Sequence, residues 1–431
     1  MKKTYLFTLA MAAMTFAGAA CSDLGLNSND KDKPQRVKER EDIVLTKGHQ
    51  EMVPMSNTFA FNFLTAVNKA ECKAGNTTGN FMVSPLSMQS LLSLMTPGAS
   101  DELAEDIIKG LGFEGYTTEE LADYYKELIP ALLDVDKSTK IWNANAIWVR
   151  EPVKIDKKYQ SFVQDKYDAT AADMPMNGKE AADLINKWCS KNTNKMIDHI
   201  FDNVDDEIKM VLANALYFKG IWSEKYKFDE SDTKDEKFTN VDGTEKKVKM
   251  MHRTFEGNAF CDDKIASVSL PFGNQAFSMR FIMPVDENED INKTLASITS
   301  EKWSEINGWN EHTERYGEII MALPRFESEY EATNDILKEA FNNIGLGSIF
   351  SRVFDKIASE DMVLAQVGQK TKIKVNETGA EAAAISWGSM KCTDAGPVDG
   401  KFYFEATRPF IYVISECSTG AVLFAGAVKK L

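Results

Sequence analysis

The stretch from Val375 to Thr407, VNETGAEAAAISWGSMKCTDAGPVDGKFYFEAT, constrains the fold more than any other part of the chain. It follows an alternating strand pattern at Ile373–Val375 and changes character at Glu377-Thr378-Gly379. The next residues, Ala380-Glu381-Ala382-Ala383-Ala384, carry side chains too small to anchor a core. Trp387, Gly388, Gly396 and Pro397 then break the pattern before strands resume at Lys401. An alanine run fits a short surface helix. It fits equally a loop that later becomes a strand, because small side chains can slide between neighbours already in place. Composition does not separate these readings, so the rest of the chain has to.

At the N-terminus, Lys2-Lys3 precede a mostly apolar run, Tyr5–Phe16, then Ala17-Gly18-Ala19-Ala20 and Cys21. This is the pattern of a bacterial-type secretory signal, too short to span a bilayer. Small residues directly before a cysteine resemble a lipobox, whose cysteine is lipidated and becomes the mature N-terminus. Gly18 stands where leucine is usual, and simple cleavage is the other reading. The expectation is export, with residues 1–20 as the signal and Cys21 as the lipid-bearing residue. The protein is then anchored in the cell envelope, at the outer membrane or cell surface; without the lipid it is periplasmic or extracellular. Residues 21–50 are polar, charged and nearly free of aromatics, and read as a tether.

No second linker divides residues 51–431, which are expected to form one domain. The chain carries 50 basic and 65 acidic residues, a net −15, with no basic block or aromatic-interleaved basic stripe. Nucleic acid is therefore not an expected partner. The six cysteines (Cys21, Cys72, Cys189, Cys261, Cys392, Cys417) show no zinc or redox spacing. With Cys21 lipidated, five remain, so at least one thiol is left over; Cys392, in the loop-like stretch, is the one to watch.

Catalytic signatures are scarce. His49, His199, His252 and His312 form no HExxH pair, and there is no GxSxG or GxxxxGK. Gly110-Leu111-Gly112-Phe113-Glu114-Gly115 matches GxGxxG but follows a helical pattern, Asp101–Lys109, so the dinucleotide context fails. A triad assembled from distant residues is recognised by geometry and not by spacing, so a secreted hydrolase stays open at this point. No metal set and no cofactor is expected.

Helical patterns come first: Ser56 as a cap before Phe59, Phe63 and Val67, then Pro85–Met95, Asp101–Lys109, Thr118–Leu133, Lys157–Tyr167 and Glu180–Asn192. Phe81-Met82-Val83 and Ile141–Val149 read as strands among them. After Asp206 strands dominate: Met210–Phe218, Val248–Met251, Ala266–Leu270, Phe277–Met283 and Gly317–Leu323, interrupted by a helix at Glu331–Ile344. Two apolar strands, Phe410–Glu416 and Ala421–Val428, joined at Ser418-Thr419-Gly420, close the chain as a hairpin. The order fits an α+β protein with a large sheet, helices around it and a C-terminal hairpin in the core.

Five segments in register carry a specific resemblance. Asn80-Phe81-Met82-Val83-Ser84-Pro85-Leu86-Ser87 and Asn214-Ala215-Leu216-Tyr217-Phe218-Lys219-Gly220-Ile221-Trp222 resemble the two most recognisable internal motifs of the serpins. Leu323-Pro324-Arg325-Phe326, the hinge Glu377–Ala384 and the ending Arg408-Pro409-Phe410…Leu423-Phe424-Ala425-Gly426 follow in the family's order. Together they span about Ser56 to Leu431.

The resemblance implies three β-sheets, eight or nine helices and an exposed reactive-centre loop, at about residues 377–407. It also implies an inhibitor that is itself no enzyme. The protease cleaves the loop, and the cleaved loop inserts as a new strand of the large sheet, trapping the acyl-protease. The native fold is then metastable. A serpin-fold surface protein without inhibition, acting as carrier or adhesin, is the alternative.

Residue by residue, the hinge is Glu377, Gly379, Ala380, Glu381, Ala382, Ala383 and Ala384. On insertion Ala380, Ala382 and Ala384 share the inward face, continued by Ser386, Gly388 and Met390, while Glu381 faces outward. Ser84, Ser87, Asn186 and Asn214 match a polar cluster beneath the opening of the large sheet. Gln369 stands where histidine is common; it can donate and accept but cannot charge. Trp222 matches the tryptophan near the start of insertion. Counting from the hinge places the reactive bond at Thr393–Asp394, and 15 residues from Thr378 span about 50 Å at ~3.3 Å each. Met390, Lys391 and Cys392 are alternates, since the segment between Thr393 and Pro409 looks long for the family. Expected partners are proteases with trypsin-, chymotrypsin- or elastase-like pockets, serine endopeptidases first and cysteine endopeptidases as the further option. Contact with the membrane is expected through the lipid alone, on a monomer.

Overall fold

A long helix, α1 (Lys47–Lys73), opens the structured part of the chain, and it starts well before Ser56. Ser56 is no cap: it is buried within α1, its hydroxyl donating to Gln89 Oε1 at 2.5 Å. The first turn presents Lys47, His49 and Gln50, a polar surface that reads as linker, while Met52 and Val53 are buried. Packing begins earlier still. Leu45 is buried, and the Ile43 N–H donates to Ser418 Oγ at 2.9 Å. The tether boundary at residue 50 therefore moves towards the N-terminus.

The computed structural model describes residues 39–192, 195, 199–308, 314–380, 396–398 and 401–431. Glu381–Ala384, Met390–Asp394 and Cys21 lie outside them. Strand β1 (Phe81–Val83) leads into α2 (Pro85–Ser93), capped by Ser84, with Pro85 in the first turn where no N–H is needed. Helices α3 (Asp101–Gly110) and α4 (Thr118–Asp134) follow, the latter with a full capping box between Thr117 and Glu120. Then come β2 (Lys140–Arg150), α5 (Lys157–Tyr167), β3 (Thr170–Met174), α6 (Gly178–Asn192) and β4 (Met210–Lys219).

The second half is strand-rich: β5 (Lys234–Thr239), β6 (Glu245–Cys261), β7 (Ile265–Phe272), β8 (Phe277–Pro284), β9 (Glu314–Pro324) and β10 (Phe326–Ala332). Helices α7 (Ile291–Ser297) and α8 (Ser300–Asn307), which the patterning did not anticipate, interrupt it. Helix α9 (Asn334–Asn343) precedes β11 (Gln369–Asn376), β12 (Gly379–Ala380), β13 (Gly396–Val398), β14 (Lys401–Glu405), β15 (Phe410–Glu416) and β16 (Val422–Val428). Glu331 belongs to β10 and not to the helix expected there. Phe326, Ser328, Tyr330 and Ala332 alternate inward, while Glu327 and Glu329 pair outward with Lys370, Lys372 and Lys374 of β11.

The described strands form three sheets. Ten strands lie in the order β1-β16-β15-β8-β7-β6-β9-β14-β13, with β5 beside β6. The closing hairpin β15–β16 sits in this sheet, buried at every position. The other two are three-stranded blocks, β3-β2-β4 and β10-β11-β12. The hinge therefore belongs to neither edge of the ten-stranded sheet. It meets the seam between the two smaller blocks, where Ile221 forms a bridge with Gly379.

Alternation along β2 assigns its faces. Ile147 and Val149 join the main core, whereas Ala146 and Trp148 join a small separate cluster with Ala181, Ala182 and Ile185 of α6. Among the described residues no helix is long and apolar enough to cross a membrane.

Candidate functional site

Strand β11 ends at Asn376, where the side-chain Oδ1 accepts from the Thr378 N–H and hydroxyl at 3.0 and 2.9 Å. This local turn reverses the chain at Glu377-Thr378, so β12 runs back along β11 with Val375 opposite Ala380. On its other side β12 meets the residues after β4. The Ala380 N–H donates to Gly220 O and the Trp222 N–H to Thr378 O, both at 2.9 Å. A Cβ at Gly379 would lie 2.2 Å from Gly220 O, so only glycine allows this approach. Ala380 is buried.

The hinge is braced by a buried ion pair. Arg325 Nε lies 2.7 and 2.9 Å from the two carboxylate oxygens of Glu377, and Nη2 lies 2.6 Å from Oε1. The Thr233 hydroxyl donates to the same carboxylate. Trp222 is buried beside them, stacked on Phe272 at 4.5 Å, with Nε1 donating to Asn376 O at 2.8 Å. In the sequence Arg325 stands only as part of a motif; its role as counter-charge appears once β10 pairs with β11 and sets Phe326 opposite Val375.

At the other end of β11 a neutral network replaces the ion pair. The Ser84 N–H donates to Gln369 Oε1 and Gln369 Nε2 donates to Ser84 O, both at 2.9 Å. Ser84 Oγ donates to Leu423 O, and the Ser87 hydroxyl donates to Asn214 Oδ1. Asn214 Nδ2 then donates to Asn143 and Asn145 at 3.0 and 2.7 Å. The start of α2 thus ties β2 and β4 to β11 and β16. Asn143 and Asn145 were missed, although two asparagines spaced by two in an otherwise apolar strand are a legible signal.

Asn186 does not join this network. It lies on α6, which packs on the opposite face of β2 and β4, and its side chain holds the backbone of Ile200 and Phe201 instead. The expected cluster is corrected accordingly: Ser84, Ser87, Asn214 and Gln369 meet, with Asn143 and Asn145 added and Asn186 removed.

Between the two block edges, below this network, lies a cavity of about 380 Å³. Val211–Asn214 of β4 face Gln366–Lys370 across it, with Cys189 and Phe201 beneath α6. Burial pushes the Cys189 thiol up to about 12, so it stays neutral. Among the described residues, none of His49, His199 and His252 hydrogen-bonds a serine, threonine or cysteine side chain; their partners are Glu127, Asp202 with Asn186, and Glu236. The described residues also contain no group of three or more His, Cys, Asp or Glu able to hold a metal ion. β12 lies at one end of this seam between β4 and β11, and the cavity lies at the other.

The family model described as Serpin (serine protease inhibitor) matches residues 54–431. Serpin-ZX of Arabidopsis thaliana is 29% identical over 367 residues, covering 81% of this chain and 91% of the relative. A serine protease inhibitor of Cyanea capillata is 29% identical over 365 residues, covering 81% and 92%. Among solved structures, the thermophilic serpin tengpin in its native state matches with a TM-score of 0.76 at 24% identity, covering 92% of this chain and 98% of that one. Thyroxine-binding globulin in complex with thyroxine matches at 0.75 and 20% identity, covering 88% and 99%. These two structures are alike in fold.

Proposed function

We propose that this chain, which belongs to the serpin family, inhibits proteases by acting as a suicide substrate. Members of the family are generally protease inhibitors. The observation that carries the reading here is the hinge. Gly379–Ala380 is the first pair of a strand, hydrogen-bonded between β11 and the residues after β4, and the cleft lies further along the same seam.

The proposed steps are those that membership of the family implies, started from this hinge. The protease nucleophile attacks the carbonyl carbon of the reactive bond; an acyl bond forms, and the amine leaves with the C-terminal part of the chain. The acyl end is now free to move with the strand that starts at Ala380. Extending β12 along the cleft adds backbone hydrogen bonds on both sides and draws the protease with it. Small side chains at Ala382 and Ala384 suit the inward face, and burial of a charge there would oppose entry. Only the protease contributes covalent chemistry. Thr393–Asp394 is our assignment for the reactive bond, with Met390, Lys391 and Cys392 as neighbours able to serve other pockets.

Mixing the Ser22–Leu431 protein separately with trypsin, chymotrypsin and elastase tests the reading. A band at the summed mass that survives boiling in detergent, with a released C-terminal peptide, is expected. Cleavage with no adduct and a fully active protease would overturn it and leave a non-inhibitory surface binder. Thr393→Arg should move inhibition towards trypsin-like enzymes. We further propose that Cys21 is lipidated and anchors the inhibitor in the cell envelope; incorporation of labelled palmitate, abolished in Cys21→Ala, checks this.

A further inference from the structure

Arg150, the last residue of β2, has a buried guanidinium whose ion pair among the described residues is long and open to solvent: Asp206 Oδ1 is 3.9 Å away and that side chain is 82% exposed. Its five N–H donors are spent on carbonyl oxygens instead. Nε donates to Ile208 O at 2.8 Å, and Nη1 to Pro175 O at 3.2 Å and Met176 O at 2.5 Å. Nη2 donates to Val204 O at 3.2 Å and Asp205 O at 2.9 Å. These carbonyls come from two stretches that α6 separates, one leading into the helix and one leading out. The neck is closed a second time where the Val204 N–H donates to Gly178 O at 3.1 Å, and a Cβ at Gly178 would lie 2.2 Å from Val204 O.

The body of α6 is held differently, by apolar packing and by the Asn186 side chain on the backbone of Ile200 and Phe201. Ala181, Ala182 and Ile185 cluster with Ala146, Trp148, Met174, Val211 and Ala213 beneath it, and Trp188 meets Trp148 edge-on at 5.2 Å. Its distal end and the segment after it supply Cys189, Ile200 and Phe201 to the wall of the cleft between β4 and β11. A strand advancing through that cleft meets these side chains and has to displace them.

We infer that Arg150 is a positioning residue that pins the neck of α6 and thereby sets how readily a strand enters the cleft. The inference rests on the inhibitor reading above. Opening the neck would leave five carbonyls and a buried charge without partners, whereas parting the mainly apolar contact under the helix body strands few polar groups. With the neck pinned, α6 yields at its distal end alone, and its amplitude is limited. With the neck released, the helix and both flanking stretches lift together, and entry becomes easier.

Arg150→Met and Arg150→Lys, in the full protein, test this by two readouts. Amide exchange across Gly178–Asn192 should rise at least tenfold in Arg150→Met, while β15 and β16 exchange as in the wild type. Arg150→Lys, which keeps the charge but fewer donors, should give a smaller rise and decides the matter if Arg150→Met does not fold. In parallel, the number of inhibitor molecules cleaved per protease trapped should fall in both variants, because faster entry leaves less time for hydrolysis. Unchanged exchange in α6 would overturn the pin. Faster exchange with an unchanged ratio would overturn its control of entry. If the wild type itself traps no protease, the inhibitor reading fails, and with it the control of entry; the exchange data alone then decide whether Arg150 pins the neck.

Discussion

At the Asn376 end of β11, Glu377 and Arg325 bury an ion pair beside Trp222; at the Gln369 end, Ser84, Gln369, Ser87 and Asn214 are joined without a formal charge. Both ends close the same seam, yet they fail differently. An ion pair taken out of water is costly to form, so most of its influence appears when one partner is lost and the other is left charged and buried. A neutral network loses its bonds singly, each worth about 1 kcal/mol net, with more only where a buried group is stranded. The hinge end therefore behaves as a single catch, and the α2 end as several small ones.

The largest effect is expected from Arg325→Met, which leaves the Glu377 carboxylate in a buried site; it should cost about 3–5 kcal/mol in urea unfolding. The double variant Arg325→Met with Glu377→Leu should recover much of that loss. A double variant as unstable as the single one would show that the pair acts by packing and not by charge. Next, Gln369→Leu should cost about 1–3 kcal/mol, because the buried Ser84 N–H loses its partner, while Ser84 O keeps the bond from the Met88 N–H. Gln369→His sharpens the contrast. An imidazole accepting from the Ser84 N–H must stay neutral, so its folded pKa falls below the ordinary value of about 6.5. Its stabilisation is complete above that value and is lost as pH falls below it. The Gln369 protein should show no such step in a melting series from pH 8 to pH 5.

The smallest effect concerns a carboxylate that lacks what Glu377 has. Burial, and then the nearby Glu236 carboxylate, push the Glu405 carboxyl up to about 7. Its folded state favours the protonated form, so this contribution to stability is full below the unfolded value of about 4.3 and is lost as pH rises through 7. Glu405→Gln should stabilise the protein at pH 8 by about 1 kcal/mol, allowing for the half-exposed position, and change little at pH 4. An equal gain at both values would assign the effect to packing.

Much of this was legible because local chemistry repeats. Ser84 before Pro85, Thr117 three residues before Glu120, and the uninterrupted apolar runs of β15 and β16 declare their elements through capping and burial. Other elements hid behind charge. β10 reads FESEYEA, and its outward glutamates resemble a helix face until Lys370, Lys372 and Lys374 are placed opposite. β13 hid behind Gly396 and Pro397, although Asp399-Gly400 before β14 is a residue pair that tight hairpins favour.

By itself the sequence determined that helices come first and strands later, the closing hairpin, the small side chain at Ala380, the family, and the ability of Gln369 to donate and accept. These depend on side-chain size, periodicity and hydrogen-bonding capacity, which travel with the residue. Tertiary structure alone decided that Arg325 answers Glu377, that Asn143 and Asn145 complete the network, that Asn186 serves the opposite face, and that Arg150 closes the neck of α6. Each of those joins residues far apart in the chain, and a side chain declares its partner only when the backbone has brought the two together.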